Sequence, residues 1–178
     1  MRLQQLPTTD TAPSVYEVYL QPGEYYWGDE THRIKTLLGS CVAICVWHPL
    51  RKIGGMSHCL LPSRVVDGVW RGVSREISKN EWSGRYVDET FMIFFDLMRQ
   101  HATLPQEYQV KVFGGGNMFE LQDKNSITVG ERNIEMIHTI LEREKIPIVA
   151  QHMGGNGHRN IIFELWNGGV WMRHTEIP

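Results

Sequence analysis

With 178 residues, the chain suits one domain with a real core. Against 18 basic side chains stand 20 acidic ones, and the net charge of −2 excludes the basic footprint of a nucleic-acid binder. A content of 42% hydrophobic and 10% aromatic residues excludes a disordered chain, and 3 cysteines cannot close a set of disulfides, which favours a reducing compartment.

Residues 1–14 are rich in Gln, Thr and Pro and show no periodicity, so a flexible arm is expected there, with one domain over 15–178. No apolar h-region opens the chain, so no signal peptide is expected. Val15, Val18 and Leu20 mark a short strand that ends at the turn Gln21-Pro22-Gly23. From Arg33 to Trp47 the chain is apolar and β-branched around one break, Gly39-Ser40, which predicts two strands or one bent strand. The purely apolar run from Cys41 to Trp47 falls far short of the roughly 20 residues of a membrane span. A cytoplasmic protein without direct membrane insertion is therefore expected. Another strand is predicted over 52–61, closed by Pro62-Ser63. Residues 63–85 carry no clear period and read as a long loop.

A helix is predicted over about 86–101, with Phe91, Phe94, Phe95 and Met98 spaced as a core-facing stripe. Gln109 to Phe113 reads as a strand running into Gly114-Gly115-Gly116. A second helix is predicted over about 130–144, with Ile134, Ile137, Ile140 and Leu141 on one face and Pro147 as its stop. Strands near 147–152, 160–166 and 169–173 follow, the last two joined through the hairpin pair Asn167-Gly168. Two helices with eight or so strands predict an α+β fold, the helices covering one face of a mixed sheet.

Among residues that carry chemistry, Cys41 follows Leu38-Gly39-Ser40 and opens an apolar strand. A glycine there permits a sharp turn that presents a thiol beside free backbone N–H groups. A thiolate needs a base or a positive environment, and His58, 17 residues on, is a candidate base. The competing reading is a buried thiol acting as a small hydrophobe, and Cys45 and Cys59 are assigned to the core on that ground. Zinc suits Cys41, Cys45, His58 and Cys59 by ligand type, but adjacent strand residues point to opposite faces, so no metal is expected. The loops at 114–117 and 154–157 lack the residues of a P-loop or a dinucleotide fingerprint, and read as tight turns beside a site. The remaining histidines, among them His32, His48, His101, His138, His152, His158 and His174, form no metal array and read as surface or structural.

Several blocks resemble one family. They are Thr36-Leu37-Leu38-Gly39-Ser40-Cys41-Val42-Ala43, Gly54-Gly55-Met56-Ser57-His58 with Leu60-Leu61-Pro62, and Tyr86 at the first helix. Gly114-Gly115-Gly116-Asn117-Met118-Phe119, Gly130-Glu131-Arg132-Asn133 and Gly154-Gly155-Asn156 with Arg159 complete the set. In this order, from about 15 to 173, they resemble CheD, the chemoreceptor glutamine deamidases of chemotaxis.

The resemblance implies a three-layer α/β/β sandwich and a Cys–His–Thr set without metal or organic cofactor. Cysteine and histidine carry over to Cys41 and His58. A family member can place the threonine six residues before the cysteine, where this chain has Lys35; Thr36 stands five before. One residue of shift reverses the face of a strand, so Thr36 takes the role only if the turn before Cys41 is one residue shorter. The implied reaction is thiolate attack on a receptor glutamine, with backbone N–H groups near Gly39, Ser40 and Cys41 at the oxyanion. The implied substrate is the cytoplasmic domain of a chemoreceptor. A CheC-type phosphatase is an implied partner, with Phe119 as a candidate anchor against its reading as a core aromatic. Two alternatives stay open: an adaptor acting mainly through that phosphatase, and a thiol hydrolase acting on receptor methyl esters.

Overall fold

The computed structural model describes residues 2–5, 14–66, 69–71, 77–118 and 127–176. In chain order the strands are β1 (Arg2–Gln5), β2 (Tyr16–Tyr19), β3 (Tyr25–Gly28), β4 (His32–Leu38), β5 (Val42–His48), β6 (Ile53–Ser57), β7 (Arg64–Val66) and β8 (Val69–Arg71). Helix α1 (Val87–Gln100), β9 (Gln109–Gly114), helix α2 (Val129–Arg143), β10 (Ile148–Met153), β11 (His158–Glu164) and β12 (Gly169–Thr175) complete the fold.

Two mixed sheets result. One has the order β1-β2-β4-β11-β12 and the other β10-β9-β5-β6-β3, while β7 and β8 pair alone. The central strand β5 explains the layering. All seven of its residues are buried, as expected of a strand covered on both faces. Val42, Ile44 and Val46 join Phe91, Phe94, Met98, Ile137, Ile140 and Leu141 in a cluster beneath the helices. Ala43, Cys45 and Trp47 face the other way, onto Val18, Ile34, Leu38, Ile161 and Phe163 of the first sheet. The architecture is therefore the α/β/β sandwich, with both helices on one face of a mixed sheet.

Both helical stripes pack as their spacing predicts, with Phe95 and Ile134 at the half-buried margins. Within the segment expected to be an arm, Arg2–Gln5 pair antiparallel with β2, and residues 6–13 lie outside the described residues. Two expectations need correction. The expected loop over 63–85 contains the β7–β8 pair and a 3-10 turn at Lys79–Glu81; its three-residue strands are too short to show a period. The link after β11 is a four-residue turn over 165–168, with Gly168 at φ 70° and its N–H donating to the Glu164 carbonyl at 2.9 Å. The Asn167-Gly168 pair therefore closes a wider hairpin than a two-residue turn.

One end of the sandwich gathers the loops. The Gly115 N–H donates to the Cys41 carbonyl at 2.8 Å and the Gly116 N–H to the Gly39 carbonyl at 3.0 Å. Asn117 donates to Gly155 at 2.7 Å, and Gly154 to Gly114 at 2.9 Å. Residues 39–41, 114–117 and 154–157 thus form one hydrogen-bonded floor.

Candidate active site

Thr36 sits on the inward face of β4, only 2% exposed. Its neighbour Lys35 lies on the outer face, with its ammonium 2.6 Å from Glu17. Alternation along β4 puts Thr36 and Leu38 inward together, and the turn at 39–41 then delivers Cys41. The one-residue offset between Lys35 and Thr36 is thereby resolved in favour of Thr36 as the residue that faces the histidine.

His58 follows β6. The bridge between Val42 and Cys59 continues the β5–β6 register, so His58 lies opposite Ala43 and points between the sheets. Its backbone is clamped by the turn after β2, since Gly23 donates to the His58 carbonyl at 2.8 Å and His58 donates to Glu24 at 2.9 Å. Nδ1 of the buried ring is 2.7 Å from the Thr36 hydroxyl oxygen. The Thr36 hydroxyl donates its one proton to the Leu20 carbonyl at 3.0 Å. The hydroxyl oxygen therefore accepts from Nδ1–H, and this network assigns the proton to Nδ1 and leaves Nε2 as a free base. Burial pushes the imidazole pKa down to about 4, against a smaller opposing effect of the Leu20 carbonyl and Glu24.

Cys41 packs against the cluster between the sheets and is half-buried. Extending the register makes it a diagonal neighbour of His58, a pairing whose backbone spacing is roughly 7–8 Å. Among the described residues no hydrogen bond joins its thiol to the imidazole. Burial pushes its pKa up. The pair therefore rests as thiol and neutral imidazole, not as an ion pair. Two of the loop's three carbonyls, at Gly39 and Cys41, are taken by the 115–116 turn. Among the described residues, neither the Ser40 nor the Cys41 N–H donates to a backbone carbonyl.

At Gly39 φ is not positive, and a β-carbon would stand 2.8 Å from the sulfur of the flexible Met118 side chain, which would have to shift. Cys45 and Cys59 are core residues, 1% and 0% exposed. Cys59 faces the helices, with its sulfur 3.3 Å from the Thr90 hydroxyl, and so points away from His58. Phe119 lies outside the described residues. Sequence reasoning missed the Leu20 carbonyl, which a side-chain pattern cannot reveal, and Asn133, whose amide donates to the Leu60 carbonyl at 3.1 Å and ties α2 to the segment after His58.

The sequence model of a family described as "CheD chemotactic sensory transduction" matches residues 71–174. The chain belongs to the CheD family. A CheD relative from Pseudomonas savastanoi pv. phaseolicola is 42% identical over 170 residues, covering 94% of this chain and 90% of the relative. Another, from Dechloromonas aromatica, is 38% identical over 162 residues, with 90% and 89% covered. A third, from Leptospira interrogans, is 36% identical over 169 residues, with 92% and 95% covered. All three carry the name of probable chemoreceptor glutamine deamidase CheD. The match to the family model begins after Cys41 and His58, whereas the relatives align over nearly the whole chain.

Proposed function

We propose that this protein deamidates glutamine side chains of chemoreceptor cytoplasmic domains to glutamate, with Cys41 as nucleophile, His58 as base and Thr36 as orienting group. The observation that carries the reading is the Leu20–Thr36–His58 hydrogen-bond chain, which fixes Nδ1 as the protonated nitrogen and frees Nε2 on the face shared with Cys41. The names of the relatives support the substrate class.

In the proposed reaction Cys41 gives its proton to His58 Nε2 as its sulfur bonds to the carboxamide carbon. The carbonyl oxygen takes up the electron pair and is met by the N–H groups of Ser40 and Cys41. His58 returns the proton to the nitrogen, the C–N bond breaks and ammonia leaves. Water then attacks the thioester and gives a proton to Nε2; the C–S bond breaks, and the Cys41 sulfur recovers that proton. A buried, neutral base suits this sequence, because it accepts a proton only when substrate excludes water and the thiol turns toward it. Catalytic hydrogen bonds commonly tighten only in the substrate complex. The chemistry needs no metal or organic cofactor.

The test is mass spectrometry of a purified chemoreceptor cytoplasmic fragment incubated with the wild type and with Cys41→Ala. Wild type produces the mass gain of an amide-to-acid conversion at a glutamine and releases ammonia; Cys41→Ala, still folded, does neither. Ammonia release by Cys41→Ala would overturn the nucleophile. Release of methanol from methylated fragments, with no glutamine changed, would replace deamidation by ester hydrolysis. A CheC-type phosphatase is the proposed partner, and its binding should survive in Cys41→Ala.

A further inference from the structure

The inward positions of β11 are Arg159, Ile161 and Phe163, each 0–1% exposed. Two are ordinary core residues; the first is a guanidinium. Arg33, Arg64, Arg99 and Arg143 each pair with a carboxylate, whereas Arg159 has none among the described residues. A buried cation without a counter-charge costs several kcal/mol even after relaxation, and an apolar side chain of like volume would serve stability as well or better. Stability therefore does not account for it.

Its surroundings do. Arg159 pairs across the sheet with Leu38, the residue before Gly39. From there the side chain crosses to the second sheet. Nε donates to His152 Nδ1 at 2.8 Å, and Nη2 donates to the Gly154 carbonyl. Nη1 is buried without an acceptor and lies against Gly116, where a β-carbon would stand 2.9 Å away. That same β-carbon would be 3.4 Å from the Gly39 carbonyl. The residues Arg159 touches are those that hold the nucleophile loop: Gly116 donates to Gly39, while Gly154 donates to Gly114, next to the Gly115 that donates to Cys41. His152 is fit to accept, because burial, Arg159 and His174 keep its pKa low and the ring neutral.

We propose that Arg159 is the positioning residue of the nucleophile loop: gripping Gly154 and His152 and backing Gly116, it fixes the backbone that places Cys41 and its neighbouring N–H groups. The inference rests on Cys41 as the nucleophile. Arg159 touches no reacting atom and acts through backbone hydrogen bonds. Its role is geometric, and misplacing a reacting group by about 1 Å can cost on the order of 100-fold in rate.

The experiment measures kcat and KM for deamidation of a purified receptor fragment, with the urea midpoint of each variant. Arg159→Met keeps the volume and removes the charge and the donors. It should unfold at a midpoint equal to or above that of the wild type, with kcat lower by about 100-fold and KM nearly unchanged. His152→Leu removes only the acceptor for Nε and should lose a smaller part of kcat. His152→Gln, whose amide oxygen can accept the same bond, should recover it. A purely structural role would move the midpoint and leave kcat per folded molecule alone. Wild-type kcat in a folded Arg159→Met protein overturns the proposal. Should that variant fail to fold, equal kcat in His152→Leu and His152→Gln overturns it. Cys41→Ala is run beside them: its activity would remove the nucleophile itself, whereas an inactive Cys41→Ala with fully active Arg159→Met and His152→Leu removes only the role of Arg159.

Discussion

A neutral imidazole between two sheets is oriented by what its protonated nitrogen can reach. Here Nδ1 faces the Thr36 hydroxyl at 2.7 Å, and that hydroxyl is itself held by the Leu20 carbonyl at 3.0 Å. Thr36→Val keeps the shape and removes that acceptor. The loss of one neutral hydrogen bond, about 0.5–1.5 kcal/mol, corresponds to roughly a 2- to 10-fold fall in kcat. His58→Ala removes the base itself and should lose roughly 10²–10⁴-fold. Lys35→Ala, on the outer face beside Glu17, should leave kcat unchanged. Steady-state ammonia release by the three variants checks the order, and a Lys35→Ala loss as large as that of Thr36→Val would contradict it. The proposed nucleophile and base were legible in the sequence because cysteine and histidine are residue types with a narrow chemistry. The threonine was legible only to within one residue, since strand parity depends on the turn at 39–41. Arg159 stood out less than its strand pattern warranted: a charge in phase with Ile161 and Phe163 is the signal of a buried cation.

The elements divide by how much sequence periodicity each carries. Helix α1 spans 14 residues and helix α2 15, long enough for a stripe to repeat, and their limits fall within a residue or so of expectation. Strand β3 went unseen because Tyr25, Tyr26 and Trp27 do not alternate: it is an edge strand, exposed to half-buried along its length. Its aromatics instead clamp helix α1, with the Tyr25 and Trp27 rings 6.3 Å and 5.9 Å from Phe94. Phe94 is therefore the contact through which the helix layer meets both β3 and the core beneath β5. Replacing it by alanine should cost about 3–5 kcal/mol, the usual range for a buried phenylalanine that leaves a cavity. The Thr128 cap at the start of α2, which accepts from the Glu131 N–H at 3.1 Å, should cost only about 1 kcal/mol when changed to alanine. Urea unfolding of Phe94→Ala and Thr128→Ala measures both, and a Phe94 cost no larger than the Thr128 cost would show that α1 is not anchored there.

At the scale of the whole molecule, the same burial that tunes the site makes stability depend on pH. The His58 pKa falls from 6.5 to about 4 on folding, so the unfolded chain takes up the proton first. Stability is fully present above pH 6.5 and is lost as the pH falls toward 4, by roughly 3 kcal/mol for this group. His152, also lowered from 6.5, acts in the same direction with a smaller weight, being partly exposed. Carboxylates held low by their partners, such as Glu17 beside Lys35 and Arg33, act below their ordinary pKa of 4.5 and so add loss only at lower pH. On the alkaline side burial raises the thiols of Cys41, Cys45 and Cys59, the last to about 11. These favour the unfolded chain once the pH passes 9, where its free thiols ionise. The urea midpoint should therefore form a plateau between about pH 6.5 and 9 and fall on both sides. His58→Gln keeps a polar group at the Thr36 hydroxyl but cannot titrate. It should flatten most of the slope between pH 4 and 6.5 while leaving the alkaline fall in place. An unchanged acid slope in His58→Gln would mean that the ring is not held neutral between the sheets, and the base assigned to the active site would lose its physical basis.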